Sequence, residues 1–169
     1  SRGLGDVYKR QALTDHLKAK GYTQEELLQS DMVRLSKKGY LYDRYRGRVM
    51  FPIFDLRGNV VAFGGRILTD EKPKYINTSD TPVYHKSSGL FAMNFAKDSG
   101  SRQLILAEGY MDVIALHRAG FTNAIASLGT ALTEEQARII RRYADEAVIC
   151  YDSDEAGQRA TQRAIPCLL

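Results

Sequence analysis

Glu108, Asp152 and Asp154 are the residues whose type and spacing point most directly to chemistry. Glu108 closes an apolar run, Leu104-Ile105-Leu106-Ala107, and is followed at once by Gly109. Asp152 closes a second run, Ala147-Val148-Ile149-Cys150-Tyr151, with Asp154 two residues on and Gly157 behind it. Carboxylates at the ends of two strand-like segments suit a hard cation, because Mg²⁺ takes oxygen ligands and phosphate-bearing substrates. In an extended Asp-x-Asp both side chains share a face and can reach one cation or a pair. A second reading has Asp154 and Glu155 capping the next helix, where a carboxylate meets the positive helix end. Asp112, four residues after Glu108, reads either as a further ligand on that edge or as an ordinary first-turn helix acid.

Whether these acids meet depends on the elements that carry them. After Arg102 the pattern alternates: strand 103–107, helix 110–119, strand 123–128, helix 133–143 opened by Thr133-x-x-Gln136, strand 146–151, and helix 155–165 stopped by Pro166. Such alternation predicts an α/β unit with a parallel sheet and helices on its faces. Ligands of such sheets bind outside the carboxyl ends of the strands, where Glu108 and Asp152 both fall. Upstream, residues 12–30 read as two short helices, the first with Leu13, Leu17 and the stem of Lys20 at helical spacing. The second is opened by a Thr23-x-x-Glu26 capping box. Residues 48–54 and 60–63 read as a hairpin about turn 55–59, residues 69–87 as mostly irregular, 88–95 as a short helix and 97–101 as a linker. Together these give an α/β chain with a mixed α+β, basic subdomain over 12–98 and a sheet unit over 102–166.

Composition narrows the classes. Of 169 residues 44% are hydrophobic, enough for a core. No apolar stretch approaches the roughly 20 residues needed to span a bilayer. Cys150 and Cys167 form neither a metal-ligand spacing nor a disulfide framework, which fits a reducing, cytoplasmic setting. The basic excess concentrates between Arg34 and Arg66, where eight Lys and Arg face only Asp43 and Asp55. A basic stretch joined to an acidic half suits a polyanion held beside a metal site. Arg44, Arg46 and Arg48 alternate along a strand-like segment and so could line one face and track a phosphate backbone. Gly64-Gly65 would let backbone approach a ligand closely, with Arg66 as a bidentate phosphate donor. Gly129-Thr130 reads as an anion site at a helix start or as a simple turn. His16, His85 and His117 have no partner at ligand spacing, and none of the ten tyrosines is marked as a nucleophile. The ends read as foreign. Residues 6–11 match one frame of a translated adaptor and residues 167–169 match the start of its reverse complement, so residues 1–11 and 167–169 are expected to be non-native ends of a gene fragment.

Glu108-Gly109-Tyr110-Met111-Asp112-Val113 with Tyr151-Asp152-Ser153-Asp154-Glu155-Ala156-Gly157 resembles the Toprim module. Further motifs follow in the order of one family: Arg46-Gly47-Arg48-Val49-Met50-Phe51-Pro52-Ile53, Phe63-Gly64-Gly65-Arg66, Pro73-Lys74-Tyr75-Ile76-Asn77-Thr78, Tyr84-His85-Lys86 and Ser127-Leu128-Gly129-Thr130-Ala131. Over about residues 12–166 the chain resembles the RNA-polymerase core of bacterial DnaG-type DNA primases. It departs in having Ser153 where that family usually has Gly. The resemblance implies RNA primer synthesis from ribonucleoside triphosphates on single-stranded DNA. Glu108, Asp152 and Asp154, and in one reading Asp112, would hold Mg²⁺ or Mn²⁺, with Glu108 also serving as general acid or base. Arg66, Lys74, Asn77, Arg44, Arg46, Arg48 and Lys86 would contact nucleotide or template. The family also implies a zinc-binding module before this segment, a replicative helicase as partner through a region after it, and acidic residues beyond Asp154, so the isolated chain is expected to be weakly active or inactive. The rivals are another Toprim enzyme, a topoisomerase or nuclease, and a non-catalytic DNA-binding Toprim protein.

Overall fold

The computed structural model describes residues 11–129 and 131–169. Packing divides the chain into two units: the described residues up to Phe51 with Phe63–Tyr84, and Pro52–Ala62 with His85–Leu169.

The first unit opens with α1 (Ala12–Ala19) and α2 (Gln24–Gln29), followed by β1 (Val33–Leu35) and β2 (Leu41–Asp43), which pair antiparallel. The expected Thr23–Glu26 capping box is present on α2. At α1 the buried position is Thr14, off the expected Leu13–Leu17 stripe. The reason is polar: Asp43, at the end of β2, accepts the Leu13 and Thr14 amides at 2.8 and 2.9 Å and the Thr14 hydroxyl at 2.6 Å. A carboxylate from a distant strand thus satisfies amides that a helix start leaves unpaired. Gln11, assigned above to the foreign tail, donates from Nε2 to the Leu41 carbonyl at 2.6 Å.

β3 (Arg48–Phe54), β4 (Val60–Ile67) and β5 (Tyr75–Asn77) form a three-stranded sheet in that order. The hairpin turn is built as its residues dictate. Asp55 accepts the amides of Arg57 and Asn59, and Gly58 adopts φ +87°, which glycine takes without strain. Residues 69–87 are mostly irregular, as expected, apart from β5, whose three residues give too little periodicity to be seen.

In the second unit, β6 (Leu90–Phe91) and α3 (Met93–Ala96) replace the single short helix expected over 88–95; Ala92, at φ +63°, breaks the helical path between them. Then come β7 (Gln103–Ala107), α4 (Tyr110–Arg118), β8 (Ala124–Ser127), α5 (Glu134–Tyr143), β9 (Glu146–Cys150) and α6 (Glu155–Leu168). The sheet order is β6-β8-β7-β9, with β7 parallel to both β8 and β9, and β6 antiparallel to β8. The parallel core is as expected, and the antiparallel edge comes from residues 90–91, assigned above to the upstream subdomain.

Alternation along the strands makes two cores. Leu104, Leu106 and Ile125 face α3, α5 and α6 through Met93, Ala137, Ile140 and Ala164. Ala107, Ala124 and Ala126 face α4 through Val113 and Leu116. β9 completes only the first face: Ala147 and Ile149 join that core, while Glu146, Val148 and Cys150 are exposed. α6 does not stop at Pro166, as expected, but runs through it. Proline deletes one backbone hydrogen bond, and here that loss falls in the last turn, which Arg141 ties down by donating to the Cys167 carbonyl while Cys167 and Leu168 pack on the core.

Candidate functional site

β7 and β9 are parallel neighbours with Ala107 opposite Cys150, so both strands deliver their next residues to one edge of the sheet. Glu108 and Asp152 meet there. The Asp152 backbone amide donates to Glu108 Oε2 at 3.2 Å, and both side chains are exposed. Asp154 sits two residues on as the N-cap of α6, its Oδ1 accepting the Gly157 amide at 2.8 Å. The capping reading of Asp154 is therefore met in the structure, through one of its two oxygens. Asp112 likewise accepts the Gly109 amide at 3.0 Å in the first turn of α4. Among the described residues no group of three His, Cys, Asp or Glu side chains is gathered closely enough to hold a metal ion. The acids form a pair, Glu108 with Asp152, flanked by two carboxylates that each keep one oxygen outside the helix cap. As donors they are hard, exposed oxygens, and that chemistry fits Mg²⁺ or Mn²⁺.

Glu108, Ser127 and Tyr151, at the ends of three strands, line a cavity of about 280 Å³ together with Ala156, Ala160 and Arg163 of α6. The Tyr151 phenol is pushed up to about 12, first by burial and further by the nearby Glu108 charge, while its hydrogen bond with Ser127 opposes the shift. It stays protonated beside the carboxylate. The available signal was positional: Tyr151 closes its strand pattern as Glu108 closes its own, and Ser127 stands one residue before the end of the third. Thr130, of the anticipated Gly129-Thr130 anion site, lies outside the described residues.

The basic candidates belong to the first unit, except Lys86. Arg66 on β4 pairs in register with Tyr75 on β5, and Gly64 with Asn77. Directly opposed residues share a face, and so do Tyr75 and Asn77 two apart, so Arg66, Tyr75 and Asn77 lie on one side of the sheet. The Arg66 guanidinium carbon stands 5.7 Å from the Tyr75 ring centroid, and its Nε is buried without a hydrogen-bond partner among the described residues. Lys74 immediately precedes β5 and is exposed. Gly65 does permit close approach, but of this chain's own side chains: a Cβ there would lie 2.8 Å from Tyr45 Cδ1 and 3.1 Å from Arg48 Cδ.

The expected single-face row of Arg44, Arg46 and Arg48 is corrected. Only Arg48 is on a strand; Arg44 and Arg46 lie in the turn between β2 and β3, which reverses at Gly47 with φ +62°. Each guanidinium is engaged locally. Arg44 pairs with the buried Asp31 and donates to the Asn77 carbonyl at 2.9 Å. Arg46 donates to the Asp43 carbonyl at 2.9 Å and lies over Tyr42, and Arg48 reaches the Pro73 and Lys74 carbonyls at 2.7 and 3.1 Å. Lys86, in the second unit, is half-buried, and its carbonyl accepts from Gln136.

Comparison with known proteins matches residues 3–97 to the family described as the DNA primase catalytic core, N-terminal domain, and residues 102–169 to the Toprim domain. A DNA primase of Clostridium acetobutylicum is 48% identical over 157 residues, 92% of this chain and 26% of that protein. One from Haemophilus influenzae is 47% identical over 144 residues, 84% of this chain and 24% of that protein. The chain thus spans about a quarter of the length of these curated relatives. The crystal structure of a DNA primase domain from Pseudomonas aeruginosa superposes with a TM-score of 0.85 at 41% identity, covering 95% of this chain and 51% of that one. A DnaG primase catalytic domain bound to single-stranded DNA gives 0.85 at 37% identity, covering 95% and 53%.

Proposed function

Because the chain belongs to the DnaG-type DNA primase catalytic-core family, we propose that it carries the metal-binding acids and part of the nucleotide and template surface of an enzyme that makes RNA primers on single-stranded DNA. The observation that carries this reading is the pairing of Glu108 with Asp152 at the carboxyl ends of adjacent parallel strands. Glu108, Asp152 and Asp154 are the residues that would hold Mg²⁺ or Mn²⁺, with Asp112 beside them. When bound, such an ion neutralises charge on the phosphates in transfer. The Asp152 amide orients Glu108 by hydrogen bonding, so one carboxylate oxygen is fixed before any ligand arrives. Tyr151 and Ser127 support that edge without adding charge.

In the first unit, Arg66 offers a guanidinium whose buried Nε–H has no partner among the described residues, and Lys74 an exposed amine; the charge of both suits phosphate. Asn77 shares the Arg66 face. Arg44, Arg46 and Arg48 act mainly by holding the segment 73–79 and the β2–β3 turn in place, and Lys86 is a lesser phosphate contact. The reaction is attack of a 3′-hydroxyl on the α-phosphate of an incoming ribonucleotide, forming the phosphodiester and releasing pyrophosphate. A match to the primase N-terminal core over 95 residues, 3–97, favours this over a topoisomerase or nuclease built on the same Toprim module. Zinc in a separate module and a helicase partner belong to the proposal only through the family.

The test is primer synthesis on single-stranded DNA with ribonucleotides and Mg²⁺ or Mn²⁺, by the chain alone and within the complete reading frame that encodes it. Glu108→Gln and Asp152→Asn are expected to lower synthesis by about 100-fold or more, the scale of losing one electrostatic stabiliser of a transition state. Binding of the template is expected to persist. Synthesis unchanged in both variants would refute the assignment.

A further inference from the structure

Gly157 stands at the third position of α6, where glycine is a poor choice because alanine lowers the entropy cost of the helix. The structure supplies the reason. A Cβ built on Gly157 would lie 2.0 Å from the Asp152 carbonyl oxygen, 2.8 Å from its carbon and 3.1 Å from its nitrogen. All three are backbone atoms, so no side-chain rotation could relieve the overlap. Its backbone does not sit in the left-handed region, so close approach, not φ, selects glycine here.

The same residue touches two of the acids, Asp152 and Asp154. Its amide donates to Asp154 Oδ1 at 2.8 Å. Its Cα face receives the Asp152 peptide, whose own amide donates to Glu108 Oε2 at 3.2 Å. Asp152 is therefore held from both sides, by a carboxylate on its N–H and by Gly157 against its carbonyl. We propose that Gly157 is the positioning residue of the acidic site: the absent side chain lets the first turn of α6 seat against Asp152, setting Asp152, Asp154 and, through the Asp152 amide, Glu108 in one arrangement. This rests on the metal-site reading above only for its consequence in metal binding; the steric arrangement stands by itself.

Gly157→Ala separates the possibilities. As a plain helix position it would raise thermal stability and leave the acids alone. As a positioning residue it shifts the Asp152 and Asp154 amide resonances by NMR, speeds hydrogen exchange at the Asp152 amide, and weakens Mn²⁺ binding by about 10-fold or more, the scale seen when outer-shell support of a ligand is lost. Unmoved Asp152 resonances overturn the proposal, whatever the metal does. If the unmodified chain binds no Mn²⁺ while the amides still shift in Gly157→Ala, the metal reading fails and the positioning role survives. Should Gly157→Ala not fold, Thr161→Val takes its place, because the Thr161 hydroxyl holds the Gly157 carbonyl at 2.9 Å. Asp152 resonances unchanged in Thr161→Val then overturn it.

Discussion

Asp31 is buried, adopts φ +59°, and gathers Arg44, Arg34 and the Ser79 amide around one carboxylate. Asn tolerates that backbone conformation nearly as well as Asp, so Asp31→Asn removes charge with little added strain. It leaves the Arg44 guanidinium, whose side chain is 14% exposed, without its counter-charge. The expected loss of stability is about 3 kcal/mol, read from urea denaturation, because breaking a buried pair strands the surviving charge. The arrangement also explains why three arginines with a simple alternation do not form one row on a strand face. One found a buried acid, one an aromatic ring and a carbonyl, and one the carbonyls of residues 73 and 74. Spacing shows that side chains can share a face; it does not show what the rest of the chain offers them.

Helix α5 is tied at its start to the segment before β6. Thr133 accepts the Gln136 amide at 3.1 Å and donates to the Ser87 carbonyl at 2.5 Å, and the fully buried Gln136 donates to the Gly89 carbonyl at 2.7 Å. Gln136→Ala therefore removes the donor to the half-buried Lys86 and Gly89 carbonyls, and a loss of about 1 kcal/mol is expected by thermal or urea unfolding. That half of the box was legible, since Thr133-x-x-Gln136 is a local pattern whose partners lie three residues apart. The βαβ alternation was legible for the same reason, and with it the meeting of Glu108 and Asp152. What stayed hidden depends on distant partners or on very short elements. Asp43, capping α1 through its bonds to Leu13 and Thr14, joins residues some 30 apart. β1, β2, β5 and β6 are two or three residues long and carry too few side chains to show a period. Pro166 misled because a breaker near a helix end costs less than one in the middle.

Across the molecule, burial holds the phenols of Tyr45, Tyr84 and Tyr151 above the ordinary tyrosine value of 10.0. A raised folded-state value means stability fully present below about pH 10 and lost as pH climbs, for Tyr151 toward about 12. The urea midpoint is therefore expected to fall between pH 10 and 12, and Tyr151→Phe to flatten part of that fall; equal slopes in both proteins would count against it. β9 has a different kind of consequence. It closes the sheet order, and its Glu146, Val148 and Cys150 face is open among the described residues. A bare strand margin is a template for another copy of itself. Sedimentation of the 169-residue chain is expected to show association growing with concentration and suppressed by Val148→Lys. Binding and rate data on the isolated chain then carry a hidden variable, since dilution alters how many molecules are alone as well as how much ligand each one meets.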